Sequence, residues 1–267
     1  LSNLDLERIE VIRGTNSALY GPGVEGGVVH FITKKAIDHP GTSAELYTGN
    51  LSSRGGAVRH AHANKSKTFG YKINVKYNEG NDFGLDLVED ADRISTFYTT
   101  ISQPAIKNKV VDGTQSGTPL LTMSDLDTNN DGNPMASEYQ NLAMNAHFEF
   151  RPNENTTATF SGGFSDAGGI GIQDLGYFYN QGLDYWAHAR VASGNIFAQI
   201  SYNSNDGGDE NNPTFLYETG NRVVGKREFY VANVQYDLDI PSFLDSKFNF
   251  GIDYQDTKSD SEYTLYG

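Results

Sequence analysis

The chain has 267 residues, enough for one large domain or two ordinary ones, and 37% of them are hydrophobic. Its net charge of −14 argues against a nucleic-acid partner, whose phosphates require a basic surface, and the absence of cysteine excludes disulfides and thiolate sites. The sequence contains no run of about 18 apolar residues, which a transmembrane helix would require. A transmembrane β-barrel would not show such a run either.

The first 35 residues form a segment punctuated by glycine. They predict a strand over Arg8–Ile12, a helical turn over Asn16–Tyr20 and a second strand over Val28–Lys34. The stretch Ala36–Gly41 predicts a linker. Because structured sequence begins at once and no closing element ends the chain, both ends are expected to be cuts in a longer protein.

After the linker the sequence predicts only β-structure. Apolar and polar residues alternate with a period of two, which gives each strand one apolar and one polar face. Such strands suit the core of a soluble sandwich or the wall of a transmembrane barrel. The nine predicted strands are Thr42–Gly49, Gly55–Ala63, Phe69–Tyr77, Tyr139–Arg151, Thr156–Ser165, Leu183–Val191, Asn195–Asn203, Lys226–Leu238 and Lys247–Gln255.

The lengths of the connections favour the barrel. Short predicted connections alternate along the chain with long ones. The long ones are Asn78–Glu138, Asp166–Gly182 and Ser204–Gly225. Outer-membrane barrels have short periplasmic turns and longer extracellular loops, and a sandwich has no reason to separate its loops in this way.

The alternation also predicts which side chains face the lumen and which face lipid. Those expected to face the lumen are Lys72, Asn145, His147, Thr159 and His188, joined by His60, His62 and Trp186. Those expected to face lipid are Ile73, Met144, Phe148, Phe160 and Ile200.

The first segment carries an ordered motif, LERIEVIRGTNSALYGPGVEGGVVHFITKK. It resembles the end of the plug domain of TonB-dependent outer-membrane receptors, with His30 where that family usually has asparagine. The strand of the motif matches at Glu7, Arg8, Ile9, Glu10 and Val11. The rest of the plug motif matches at Arg13, Gly14, Ser17, Tyr20, Gly21, Gly26, Gly27, Thr33 and Lys34.

The resemblance implies an architecture. Residues 1–35 would be the C-terminal part of an α+β plug, 36–41 a linker, and 42–267 the N-terminal part of an all-β transmembrane antiparallel barrel, about nine strands of a larger one. The location implied is the outer membrane of a Gram-negative bacterium, with its lipid around the barrel.

The resemblance also implies a function and partners. Such receptors import a scarce nutrient, such as a ferric siderophore or cobalamin, with energy from the TonB complex, whose recognition box would lie N-terminal to Leu1. The wording RGTNSALYG is closer to the metal-chelate branch than to the glycan-importing branch. A glycan importer, or a surface binding or assembly component that transports nothing, remains an alternative.

The longest predicted connection contains a complete calcium-loop pattern, DTNNDGNPMASE. Oxygen ligands would come from Asp127, Asn129, Asp131, Asn133 and Glu138, and calcium would stiffen the loop. The other reading is a plain acidic loop without metal. No nucleophile elbow, phosphate-binding loop or zinc-protease motif occurs, so the sequence predicts a protein that is not an enzyme.

Overall fold

The computed structural model describes residues 2–14, 26–81, 138–173, 176–207, 214–216, 222–223, 225–242 and 244–260. All regular structure within these ranges is β-strand. The described part contains no helix long and apolar enough to cross a membrane.

The N-terminal segment forms an antiparallel hairpin of its own. Strand β1 (Leu6–Arg13) pairs with β2 (Gly27–Thr33), and a bulge interrupts the register between Leu6 and Arg8. Both strands predicted for this segment are confirmed, with their ends shifted by one or two residues. The predicted turn Asn16–Tyr20 lies outside the described residues.

The remaining strands form one antiparallel sheet, and all nine predicted strands occur in it. Along the sheet they follow the order β13-β12-β9-β8-β7-β6-β5-β4-β3, so that neighbours in the chain are also neighbours in space, and the short β10 and β11 lie off this path beside β8. The strands are β3 (Gly41–Thr48), β4 (Arg54–Ala63), β5 (Phe69–Asn81), β6 (Glu138–Asn153), β7 (Thr156–Gln173), β8 (Gly176–Ser193), β9 (Ile196–Asp206), β10 (Thr214–Leu216), β11 (Arg222–Val223), β12 (Lys226–Ile240) and β13 (Ser246–Asp260).

One predicted connection is wrong. Most of the stretch Asp166–Gly182 is strand, because the β7–β8 ladder continues from Thr156 opposite Ser193 up to Gln173 opposite Gly176. The glycines of this stretch suggested a loop, but a paired partner strand satisfies their backbone groups and outweighs their weak intrinsic strand preference. Part of the predicted connection Ser204–Gly225 is likewise strand.

The register separates the side chains into two faces. Lys72 lies opposite His147, whereas Ile73 lies opposite Ala146 and Phe148 opposite Phe160. We call the face with Lys72 the inner face, because the N-terminal segment packs on it, and the face with Ile73 the outer face. The outer face exposes its large apolar side chains, among them Phe160, Ile200, Phe250 and Ile252.

The predicted division into two faces is confirmed for all ten residues assigned to it. Trp186 also lies on the inner face, as predicted, in register with Asn145 through Gly163. The prediction is wrong for His60 and His62. His60 pairs with Ile73 on the outer face, because the neighbouring Arg59 takes the inner position.

Candidate functional site

The N-terminal segment is fixed to the inner face by a buried charged cluster. Asp5 precedes β1, and its Oδ1 accepts a hydrogen bond of 2.8 Å from Arg59 Nε on β4. Its Oδ2 accepts one of 2.8 Å from Lys72 Nζ on β5. Each of the three side chains is 4% exposed. We call Asp5, Arg59 and Lys72 the anchor cluster; in it one carboxylate holds two cations.

Further oxygen atoms of the N-terminal segment and of the linker accept hydrogen bonds from the two cations. Lys72 Nζ also donates to Thr33 Oγ1 at 2.9 Å and to the carbonyl of Lys34 at 2.7 Å. Arg59 Nη1 donates to the carbonyl of His39 at 3.0 Å. The cluster therefore holds the start of the segment, the end of β2 and the linker at one point of the sheet.

The sheet makes room for this contact with small residues. Ala57 and Ala61 are buried beside Arg59 on β4. Ile37 of the linker is almost completely buried, and its Cγ1 would lie 2.7 Å from a Cβ added at Gly70 of β5. Gly70 therefore provides the space into which Ile37 packs.

A second ion pair holds the linker to β6. Arg151 donates two hydrogen bonds, of 3.3 and 3.1 Å, to the carboxylate of Asp38 and also contacts Glu149. The hydrogen bond from Arg151 lowers the pKa of Asp38 below the ordinary value of an aspartate. This pair is partly exposed, so solvent weakens it relative to the anchor cluster.

A different part of the inner face carries an aromatic patch beside a cavity of about 330 Å³. The register places Trp186 and Phe229 on either side of Asn203, and Asp184 and Arg227 on either side of Asn205. Arg227 lies 5.9 Å from the centre of the Phe229 ring, and Asn205 Nδ2 donates to Asp184 Oδ1 at 2.6 Å. We call Asp184, Trp186, Asn205, Arg227 and Phe229 the aromatic patch. A cation beside aromatic rings and amides suits a ligand with aromatic or anionic groups.

The plug motif is only partly within the described residues. Arg13, Gly14, Gly26, Gly27, Thr33 and Lys34 are described, while Ser17, Tyr20 and Gly21 lie outside. Gly27 has φ of +146°, and a Cβ there would meet the carbonyl oxygen of Ile12 at 2.5 Å, so only glycine fits. Thr33 and Lys34 contact the anchor cluster, and Lys34 Nζ also donates to the carbonyl of Leu4 at 2.9 Å.

The predicted calcium ligands are not brought together by the described structure. Asp127, Asn129, Asp131 and Asn133 lie outside the described residues, and Glu138 begins β6 opposite Asn81. Within the ranges that the structure describes, no three His, Asp or Glu side chains are grouped to hold a metal ion.

Sequence reasoning missed Asp5 and Arg59. Asp5 lies directly before the motif, and Arg59 is a single cation in the inner phase of an otherwise small-residue strand. The only available signal was this isolated charge.

Comparison with known proteins gives sequence relatives of one kind. No family model matches the chain. A probable TonB-dependent siderophore receptor, PirA of Acinetobacter baumannii, is 29% identical over 153 residues, which is 54% of this chain and 19% of the relative. The ferric enterobactin receptor of Pseudomonas aeruginosa is 30% identical over 159 residues, 52% of this chain and 20% of the relative. The chain thus matches about a fifth of the length of these two relatives.

Solved structures share the fold. The siderophore receptor PiuA of Acinetobacter baumannii superposes with a TM-score of 0.59 at 14% identity, over 96% of this chain and 36% of that one. A variant of the ferric enterobactin receptor PfeA of Pseudomonas aeruginosa gives 0.55 at 17% identity, with the same coverage of 96% and 36%. At this identity the structures show the fold alone. Together with the sequence relatives, they bear out the predicted resemblance to a segment of TonB-dependent siderophore receptors and agree with the predicted location in the outer membrane.

Proposed function

We propose that this chain is a segment of a receptor that imports a ferric siderophore across the outer membrane, using energy delivered by the TonB complex. The observation that carries the proposal is the sequence match, over about half of the chain, to siderophore receptors of two bacterial species. The sequence contains none of the catalytic motifs sought above, which is consistent with a nutrient receptor that is not an enzyme.

The proposal assigns a place to each part of the chain. Residues 1–35 form the end of the plug, 36–41 the linker and 42–267 the first part of the barrel wall. The separate β1–β2 hairpin and the start of the large sheet at Gly41 support this division. The inner face then lines the lumen, and the outer face contacts outer-membrane lipid.

Uptake by cells that carry or lack the intact protein tests the proposal. We expect radioactive iron supplied as ferric enterobactin to enter only cells with the protein, and uptake to stop in a TonB-deficient strain. Uptake that continues without TonB would overturn the proposal. Binding without uptake would favour a surface binding component, and uptake of cobalamin or a glycan would replace the siderophore.

The aromatic patch is the part of the described wall that we assign to ligand contact. Trp186→Ala and Arg227→Ala are expected to weaken binding of the ferric siderophore about tenfold each, because central aromatic and arginine contacts contribute on the order of 1–2 kcal/mol. Tyr236→Ala is the matched control, since Tyr236 is exposed on the outer face of β12 and does not line this cavity. Equal binding by all three variants would remove the patch from the ligand site.

The calcium loop remains part of the proposal. Occupancy by calcium at Asp127, Asn129, Asp131, Asn133 and Glu138 would order the end of the connection just before β6 begins. Calorimetry on the intact protein compares the wild type with Asp131→Ala. Equal heats of calcium binding would leave the motif as a plain acidic loop.

A further inference from the structure

The outer face has an unusual composition where β4 turns into β5. His60 and His62 project from the outer face of β4, and both residues are exposed. The aromatic rings of Tyr71 and Phe69 lie beside them on β5, and Phe150 of β6 follows at 4.9 Å from Phe69. Polar imidazoles therefore lie within an aromatic belt at one end of the outer apolar face.

The polar groups of this region are held close together. His60 Nδ1 lies 2.8 Å from Thr42 Oγ1, and its Nε2 lies 3.5 Å from the hydroxyl of Tyr71. The ring of Tyr71 lies 5.9 Å from that of His60 and 5.8 Å from that of His62, measured between centroids. Thr42, Tyr71 and the two histidines thus gather several polar groups on one small area.

The adjoining turn adds two lysines at this end of the outer face. The Asn64 carboxamide oxygen accepts hydrogen bonds from the backbone N–H groups of Thr68 and Phe69, at 2.9 and 3.1 Å. The Asn64 amide donates to Ser66 Oγ at 3.0 Å. This network closes the turn and leaves Lys65 and Lys67 exposed at its tip.

Among the described residues, the two lysines have no acidic neighbour on this part of the outer face. On the outer face of β3–β5, from the turn up to Val58 and Ile73, no described side chain is acidic. Among the other short turns, those at 49–53 and 194–195 carry no charge, and the described residues of the remaining two carry Glu154 and Asp245; the whole chain has a net charge of −14. An acidic protein therefore presents a basic, aromatic-rimmed area at one point of its outer face.

We propose that Lys65, Lys67, His60 and His62 bind the phosphate of an anionic phospholipid in the periplasmic leaflet. The inference rests on the proposed function, in which the outer face lies in the membrane and the turn between β4 and β5 is periplasmic. Lysines extend from the apolar surface to the headgroups, aromatic rings lie at the same level, and anionic lipids attract basic groups there. The periplasmic leaflet, and not the lipopolysaccharide leaflet, follows from the position of this turn, which lies at the end of β5 opposite the long connection of residues 82–137.

Native mass spectrometry of the intact protein, released from nanodiscs of phosphatidylcholine with a minority of phosphatidylglycerol, measures the bound anionic lipid. We expect Lys65→Ala with Lys67→Ala to reduce bound phosphatidylglycerol about fivefold per lysine. His60→Ala with His62→Ala should also reduce it. The matched control is Lys226→Ala with Lys258→Ala, which removes the same charge from the outer face at its other end.

The outcomes separate this inference from the proposed function. Equal retention of phosphatidylglycerol by the turn variant and the control overturns the inference, while ferric siderophore uptake remains as evidence for the receptor. Preferential retention of lipopolysaccharide, when it is added to the nanodiscs, overturns the assignment to a phospholipid. Failure of the wild type to insert into nanodiscs overturns the proposed membrane location, and the inference with it.

Discussion

Replacing Asp5 by asparagine removes the carboxylate that both Arg59 and Lys72 contact at 2.8 Å. The two cations then remain 4% exposed on the inner face without their counter-charge. Removing one partner of a buried ion pair costs about 3–5 kcal/mol. The docking of the N-terminal segment is therefore expected to weaken by roughly two to three and a half orders of magnitude in its equilibrium constant.

Hydrogen exchange of the intact protein measures this change. The amide of Lys34 donates to the carbonyl of Asp5 at 2.8 Å within the segment, so its exchange reports local opening of the segment beside the anchor cluster. Peptides that cover 2–14 and 26–40 should exchange faster, by up to that factor, while those of β12 and β13 should keep their wild-type rates.

The matched control is Glu10→Gln. Glu10 pairs with Arg8 at 2.7 Å, but the two side chains are 41% and 54% exposed, so the loss is expected to be below about 1 kcal/mol. Adding Lys72→Met to Asp5→Asn removes one uncompensated cation and should restore part of the protection. Wild-type exchange in Asp5→Asn would refute the reasoning, because the carboxylate would then contribute nothing to docking.

Three further predictions concern the two faces and the linker. Met144→Arg, near the middle of β6 on the outer face, should destabilise the sheet in lipid vesicles by about 2–4 kcal/mol in urea unfolding, and Asn145→Arg on the inner face much less; equal losses would contradict the assignment of the faces. Gly70→Val places atoms 2.7 Å or closer to the buried isoleucine of the linker and should speed protease cleavage within residues 34–40; unchanged cleavage would show that the linker yields freely. The lowered pKa of Asp38 means that its pair with Arg151 stabilises the docked linker above the ordinary aspartate pKa of about 3.9. Protection of the linker should therefore fall as acidification protonates Asp38, and Asp38→Asn should abolish that pH dependence.

The strands were predictable because their signal is local. Over residues 69–77 of β5 and 142–150 of β6 every second residue is apolar, and the same period fixes both the strand and its faces. The β4 histidines were assigned to the wrong face because polar residues occur in both phases of that strand, and only Val58 in the phase of His60 indicates the outer side. The length of the β7–β8 hairpin could not be predicted, because it depends on pairing between the two strands and the glycine-rich sequence gives no sign of that pairing.

The anchor cluster was beyond sequence reasoning for a different reason. Asp5 and Lys72 are separated by 67 residues and contact each other only because a separate hairpin packs on the sheet. No periodic pattern links an acid before one strand to a base within another. The aromatic patch depends in the same way on the register of three strands, although its single tryptophan was correctly placed on the inner face.

The β4–β5 hairpin uses the period of two to keep two different environments apart. Arg59 and Lys72 face inward, while their chain neighbours His60 and Tyr71 face outward. Without the N-terminal segment the inward cations would be exposed to solvent, so docking must remove two cations and one carboxylate from water. Buried ion pairs formed at that cost add little net stability, but leaving one unpaired is expensive. The anchor cluster therefore acts mainly by selecting one position for the segment: a displaced segment would leave both cations without Asp5 and without the carbonyls that surround them.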